Sequence, residues 1–260
     1  MTLASGILDP GWGGLLLAAL LVAAVLALAL ATGVNLIREG LIATARTALQ
    51  LLGVGLILNW VFRFDAWLAI CGVLLVMTLL AGWTGSRRVE KALAGTAPAL
   101  TLILTVVLAT TLIYVTQLVI GIHAPSARYF IPLGGIIVGN AMTAGSLAAQ
   151  RFHDELRERR AAIEAALALG ATPAQATQEP LRRALAAALT PTINAMLIVG
   201  IVKLPGVMTG QMLGGSAPLE AAKYQIVVMF MLAFGDGVTA LLVLRYLRRV
   251  AFNAAWQPRL

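Results

Sequence analysis

Apolar residues run through this chain in long, nearly unbroken stretches. Seven of them, near residues 14–36, 41–62, 66–85, 99–120, 129–150, 183–203 and 221–247, are long enough to cross a bilayer; a helix needs about 20 residues to do so. Apolar and polar positions do not alternate within these runs, and most exceed strand length, so strands are not the reading. The pattern predicts an all-α, polytopic membrane bundle of about seven helices, a single transmembrane domain over residues 1–260. The stretch 204–218 is where a different span count would arise. Its part 205–215 is too short to cross and reads as a half-helix or re-entrant element.

One segment breaks the apolar pattern. Residues 151–182 carry Arg151, Arg157, Arg159, Arg160 and Arg182 against Asp154, Glu155, Glu158, Glu164 and Glu179. Mixed charge suits a helix surface that meets water and protein better than it suits an anionic polymer. Within it Phe152, Leu156, Ile163 and Leu167 share one helical face, which predicts a helix running on from the fifth span. The stretch 169-LGATPAQA-176 then marks a corner. Gly170 is placed to end the helix at C′, where the left-handed conformation is easy for glycine. Thr172 fits N-cap, Pro173 fits N1, and Gln175 at N3 completes a capping box. Pro180 is expected to stop this second helix after about two turns.

Composition agrees with a membrane protein and adds orientation. The chain is 60% hydrophobic and 12% charged, too apolar for the surface of an ordinary soluble domain. Its net charge of +8 comes from basic residues gathered in loops, which reports topology and argues against nucleic acid as a partner. Arg38, Arg87, Arg88, Lys91, the basic residues of 151–183, and Arg245, Arg248, Arg249 and Arg259 fall on one side. Arg63, Arg128, Lys203 and Lys223 fall on the other. Positive residues remain cytoplasmic, so the N-terminus is expected outside and the C-terminus inside, in the cell inner (plasma) membrane. No Lys or Arg precedes Arg38, so the first run reads as a retained span and not as a cleaved signal. Cys71, alone in an apolar run, cannot form an intrachain disulfide.

The stretch 164-EAALALGATPAQA-176 resembles the cytoplasmic loop of ABC-transporter membrane subunits, in which Glu-Ala-Ala, three residues and Gly recur. The matching residues here are Glu164, Ala165, Ala166 and Gly170. That resemblance implies a coupling helix seated in a cleft of an ATPase subunit, formed by Glu164, Ala165, Ala166, Leu169, Gly170, Ala171, Thr172, Pro173 and Gln175. Downstream, 180-PLRR-183 stands where importers carry Ile-x-Leu-Pro, which points away from an ordinary importer. Over nearly its whole length the chain is similar to the FetB/YbbM-type permeases, through 46-RTALQLLGVG-55, 139-GNAM-142, 169-LGATPAQA-176, 204-LPGVMTG-210 and 223-KYQIVVMFML-232. The family implies ATP-driven export of iron or a related metal ion, with plant relatives linked to aluminium tolerance. It further implies two permease chains in membrane lipid with two ABC-type ATPase subunits.

The residues themselves carry no chemistry of catalysis. No G-x-x-x-x-G-K-[ST] occurs, so ATP and Mg are expected on the partner subunit and no cofactor on this chain. His123 and His153 read as loop residues. Candidates for a translocation pathway are Arg46, Gln50, Asn140, Met142, Asn194, Met196 and Asp236, because polar or soft groups at membrane depth are costly unless they face one another or water. Arg46 can instead snorkel to the interface; Asp236 is the mid-span acid. The methionines have no metal-ligand spacing and read first as packing. Two glycine patterns, Gly135/Gly139 and Gly206/Gly210/Gly214, suit close helix approach. With Pro205, Met208 and Met212 the second is a candidate outer gate or packing face. Three alternatives stay open: an ABC permease for a nucleotide sugar or lipid, a standalone secondary transporter or channel, and a non-transporting scaffold or sensor.

Overall fold

A computed structural model describes residues 10–64, 66–88, 96–122, 124 and 126–253. The expectations concerning the residues before Pro10, Lys91, His123 and Arg259 lie outside the described residues. The helices, in order, are α1 (Gly11–Ala31), α2 (Ile37–Phe64), α3 (Trp67–Arg88), α4 (Thr96–Ile113), α5 (Ala127–Glu158), α6 (Arg160–Ala168), α7 (Pro173–Ala176), α8 (Gln178–Ile198), α9 (Gly206–Leu213) and α10 (Pro218–Val250). A π-helical segment, Tyr114–Ile120, continues α4 and ends at Gly121 in the left-handed conformation, φ 79°. Val199 and Lys203 form an isolated bridge.

Among the described residues six helices are long and apolar enough to cross a membrane: α1, α2, α3, α4 with its π-helical continuation, α5 and α10. The run expected over 183–203 is α8, which starts earlier and stops at Ile198. Its end is set by Val199, which turns extended (ψ 136°), and by Gly200 at φ 81°. A tight turn follows, with the Gly200 N–H bonded to the Lys203 carbonyl at 3.0 Å. The expected half-helix is α9, whose 8 residues rise only about 12 Å.

The chain separates into two compact units. One holds α1 and α2; the other holds α3 to α10, except that residues 213–215 group with the first. In the first unit α1 ends in a Schellman turn. Gly33 sits at φ 85°, its N–H bonds the Leu30 carbonyl at 3.0 Å, and the Val34 N–H reaches the Ala29 carbonyl at 3.0 Å. This satisfies carbonyls that lipid could not. Past the turn, Leu26 lies over Gly40 so closely that a Cβ there would overlap it.

In the second unit α5 is the hub, packed against α3, α4, α8 and α10. Lipid tails are as apolar as leucine, so helix association in a membrane rests on close van der Waals fit. The sequence of α5 provides it: Gly134, Ala141, Ala144, Gly145, Ala148 and Ala149 are all buried. Gly145 admits Thr239 and Val243 of α10, and Gly134 admits Leu74 of α3. Gly82 of α3 receives Thr101 of α4. The glycine pairs picked out by spacing are not these. Nothing lies within 4 Å of a Cβ placed on Gly139, Gly206 or Gly210, and Gly135 meets only the tip of Met77. Spacing marks which glycines share a face; the partner helix decides which of them is filled.

Candidate functional site

Two features bring polar residues together: a capped corner at one end of the second unit and a cavity within it.

At the corner, α6 ends at Leu169 and Gly170 takes the left-handed conformation, φ 90°. The Gly170 N–H bonds the Leu167 carbonyl and the Ala171 N–H bonds the Ala166 carbonyl, both at 3.0 Å. That is a complete Schellman turn. Thr172 then caps α7: its Oγ1 accepts from the Gln175 N–H at 3.3 Å, and Gln175 Oε1 accepts from the Thr172 N–H at 2.9 Å. Pro173 occupies N1, where the absent N–H leaves no gap in the ladder. The stop and the start read from LGATPAQA are both present.

Three details differ from expectation. α7 is one turn long, not two. Thr177 closes it at φ −107°, with Oγ1 donating to the Pro173 carbonyl at 2.6 Å. Pro180 does not end that helix; it sits in the first turn of α8, where its ring is compatible with helix. The helix from α5 does not run on unbroken either, because Arg159 (φ −105°, ψ 17°) separates α5 from α6. Phe152, Leu156 and Ile163 are nevertheless all buried, and Leu167 half-buried. His153, expected in a loop, is buried in the last turns of α5.

Ion pairs brace the helices that flank the corner. Glu155 of α5 accepts from Arg159 Nε at 3.0 Å and lies 4.0 Å from Arg183 of α8, which bonds Glu179 at 2.8 Å. Arg160 pairs with Glu164 at 2.8 Å. The Arg183 guanidinium hydrogen-bonded to Glu179 holds that carboxyl below the usual carboxylate range. Exposed pairs of this kind contribute little each; their effect here is on orientation. On the outer side of the corner Leu169 is 89% exposed, and Glu164, Ala165, Gly170 and Gln175 are exposed too. Ala166, Ala171, Thr172 and Pro173 are half-buried.

The cavity, about 300 Å³, lies between α5, α8 and α10. Each helix contributes one stripe. From α5 come Ile136, Asn140, Thr143, Ala144 and Leu147; from α8 come Ala188, Pro191, Thr192, Ala195 and Val199. From α10 come Gln225, Val228, Met229, Leu232 and Asp236. Within each stripe residues recur three and four positions apart, as on one helix face. Lys203, Pro205, Gly206 and Val207 complete the wall at the end away from the corner. Asp236 is 3% exposed, and its Oδ2 accepts from the Thr192 hydroxyl at 2.5 Å. Asp236 Oδ1 and Gln225 Oε1 are buried with no hydrogen-bond partner. Asn140 donates from Nδ2 to the Ile136 carbonyl at 2.9 Å.

Of the candidate pathway residues, the structure brings Asn140 and Asp236 to this cavity, with Pro205 and Gly206 from the candidate gate. The others lie elsewhere. Met142 packs toward Gly85 of α3. Asn194 is exposed and Met196 half-buried, off the cavity face of α8. Met208 and Met212 are half-buried and Gly210 and Gly214 exposed, none of them in the cavity wall. Arg46 and Gln50 are exposed on α2, in the first unit. Sequence reasoning passed over Thr192 and Gln225. Gln225 had a usable signal, since it is a polar residue in an apolar run and stands eleven positions before Asp236, three turns along one face. Thr192 had none beyond following Pro191.

A family model described as "Uncharacterised protein family (UPF0014)" matches residues 12–252. The chain belongs to this family. Among relatives in it, the UPF0014 membrane protein slr1647 of Synechocystis is 38% identical over 236 residues, covering 90% of each chain. Protein ALUMINUM SENSITIVE 3 of Arabidopsis thaliana is 35% identical over 86% of this chain and 82% of its own length. The probable iron export permease protein FetB of Escherichia coli is 31% identical over 82% of this chain and 81% of its own length. No solved structure matches the chain. Family membership and six apolar helices make this a multi-pass membrane protein.

Proposed function

We propose that this chain is the membrane-spanning permease subunit of an ABC transporter of the inner (plasma) membrane, exporting iron or a related metal ion. A relative named as a probable iron export permease, aligned over most of both chains, supports the cargo and direction. The observation that carries the coupling role is the corner. A Schellman turn and a capping box hold α6 and α7 at a fixed angle, with caps of this kind each worth about 1 kcal/mol. The exposed Leu169 gives a partner something apolar to grip. The corner lies in the connection between α5 and α8, which the Glu155–Arg183 contact holds together and which are two of the three helices that wall the cavity.

In this reading α8 is a seventh crossing, the N-terminus is outside and the C-terminus cytoplasmic. Two copies work with two ATPase chains that hold ATP and Mg. Closure of the ATPase dimer pushes the corner as a rigid body, and α5 and α8 move with it to change access to the cavity. The test is to co-express the chain with a candidate ATPase, reconstitute the complex, and compare ATP hydrolysis with metal transport. Thr172→Pro removes an N–H that bonds Gln175 and is expected to leave hydrolysis running while transport falls. Equal coupling in variant and wild type would refute the lever. The buried Asp236 is the feature that favours a second reading, a secondary transporter driven by an ion gradient; transport by the chain without ATPase would select it.

A further inference from the structure

We propose that the groove between α4, with its π-helical continuation, and α10 holds one acyl chain of an anionic phospholipid whose phosphate pairs with Lys223. The groove has a volume of about 580 Å³. Tyr114, Val115 and Val119 form one side; Val227, Phe230 and Phe234 form the other. The first side lies in the π-helical segment, a rare conformation that recurs at functional sites. The site stands apart from the transport function; the proposed orientation only names the leaflet, the outer one.

Charge stands in line with the groove. Lys223, Val227, Phe230 and Phe234 follow at intervals of four, three and four residues, which is one face of α10. Lys223 therefore sits one turn beyond the groove wall, on the line of that wall. It is exposed. Among the described residues it forms no ion pair, with Glu220 of the same helix or with any other acid. A single cation at a membrane surface attracts an anionic headgroup.

Depth agrees. Tyr224, beside Lys223, lies near Tyr129, and Trp67 packs edge-on against Phe130 with ring centroids 6.0 Å apart. These aromatics stand near the starts of α10, α5 and α3, as in the belt that marks a membrane–water interface. From Lys223 to Phe234 the helix advances eleven residues, about 16 Å. Half of a hydrocarbon core is about 15 Å. The groove thus runs from headgroup level to mid-membrane, the reach of one lipid chain.

A second copy of the chain fits this groove poorly. Membrane helices approach closely over small residues, whereas the side chains that project here, Tyr114, Phe230 and Phe234, are large and exposed. A thin, flexible hydrocarbon chain can enter between them.

The experiment places the full chain, without ATPase, in nanodiscs containing phosphatidylglycerol or phosphatidylcholine with a diazirine in one acyl chain. After irradiation the labelled residues are mapped by mass spectrometry. Labelling of Tyr114, Phe230 and Phe234 should be roughly fivefold stronger with phosphatidylglycerol. Leu102, exposed and outside the groove, should be labelled equally by both. Lys223→Gln should bring the groove ratio near one, and Arg245→Gln, an exposed residue at the far end of α10, should leave it unchanged. Val227→Trp, which fills the groove, should remove the label there for both lipids. Because Lys223 is exposed, its variant tests the site even where the tryptophan variant fails to fold. Groove residues left unlabelled, labelled equally by both lipids, or indifferent to Lys223→Gln would each overturn the inference. The first of these, with Leu102 still labelled, is the pattern of a second copy covering the groove.

Discussion

Replacing Gly170 by valine perturbs backbone conformation and almost nothing else, because a Cβ at this position meets no atom within 4 Å. The native φ is 90°, where an L residue is disfavoured by about 1–2 kcal/mol and a β-branched one by more. The valine chain has two options. It can hold the angle and bear that strain, or relax to negative φ and lose the bonds from 170 to Leu167 and from Ala171 to Ala166. Either way the corner opens more often. With tenfold corresponding to about 1.4 kcal/mol, exchange of the corner amides should speed up about 5- to 30-fold. Hydrogen exchange with mass spectrometry in nanodiscs reads this on a peptide covering 163–177, with α10 peptides as an internal reference. Gly170→Asn, which tolerates the left-handed region, should stay near wild type. Unchanged corner exchange in Gly170→Val would refute the claim that the turn depends on this glycine.

Four further outcomes follow from the surroundings of single residues. Gly82→Val places a Cβ against the Thr101 side chain and 3.0 Å from its Cα; backbone cannot yield cheaply, so a loss of about 1–3 kcal/mol is expected, read as a lower midpoint in thermal unfolding followed by tryptophan fluorescence. Gly210→Ala, with open space around it, should leave that midpoint unchanged. Thr192→Val removes the one hydrogen bond to Asp236 and should destabilise by about 1.5–3 kcal/mol in the same assay, with Thr192→Ser largely restoring it. Leu169→Asp, at a residue 89% exposed, should leave unfolding unaltered and abolish co-purification with the proposed ATPase subunit; retained association would remove Leu169 from the proposed docking surface.

The corner was legible in the sequence because its code is local. Gly170 needs a left-handed angle, and Thr172, Pro173 and Gln175 satisfy one another within four residues, so no distant partner enters. Its length was misjudged at Pro180, since proline ends a helix from inside but opens one from the first turn, and the residues around it do not say which. Six of the seven expected spans were legible from run length alone. The cavity was not. The meeting of Asn140, Thr192, Gln225 and Asp236 depends on how α5, α8 and α10 pack against one another, which no pattern within any one of them encodes. The same cause misdirected the glycines: Gly139 and Gly210 have the spacing of a contact face and no neighbour, whereas Gly82 and Gly145 have neighbours and no second glycine four positions away.

The central claim, that ATP hydrolysis acts through the corner to export metal, is tested most directly in proteoliposomes carrying the permease–ATPase complex with its ATPase face outward. In that orientation export appears as accumulation of Fe²⁺ inside. Accumulation that requires ATP, and that Thr172→Pro abolishes while hydrolysis continues, is the result expected. Accumulation at the same rate without ATP, or undiminished in Thr172→Pro, would contradict it.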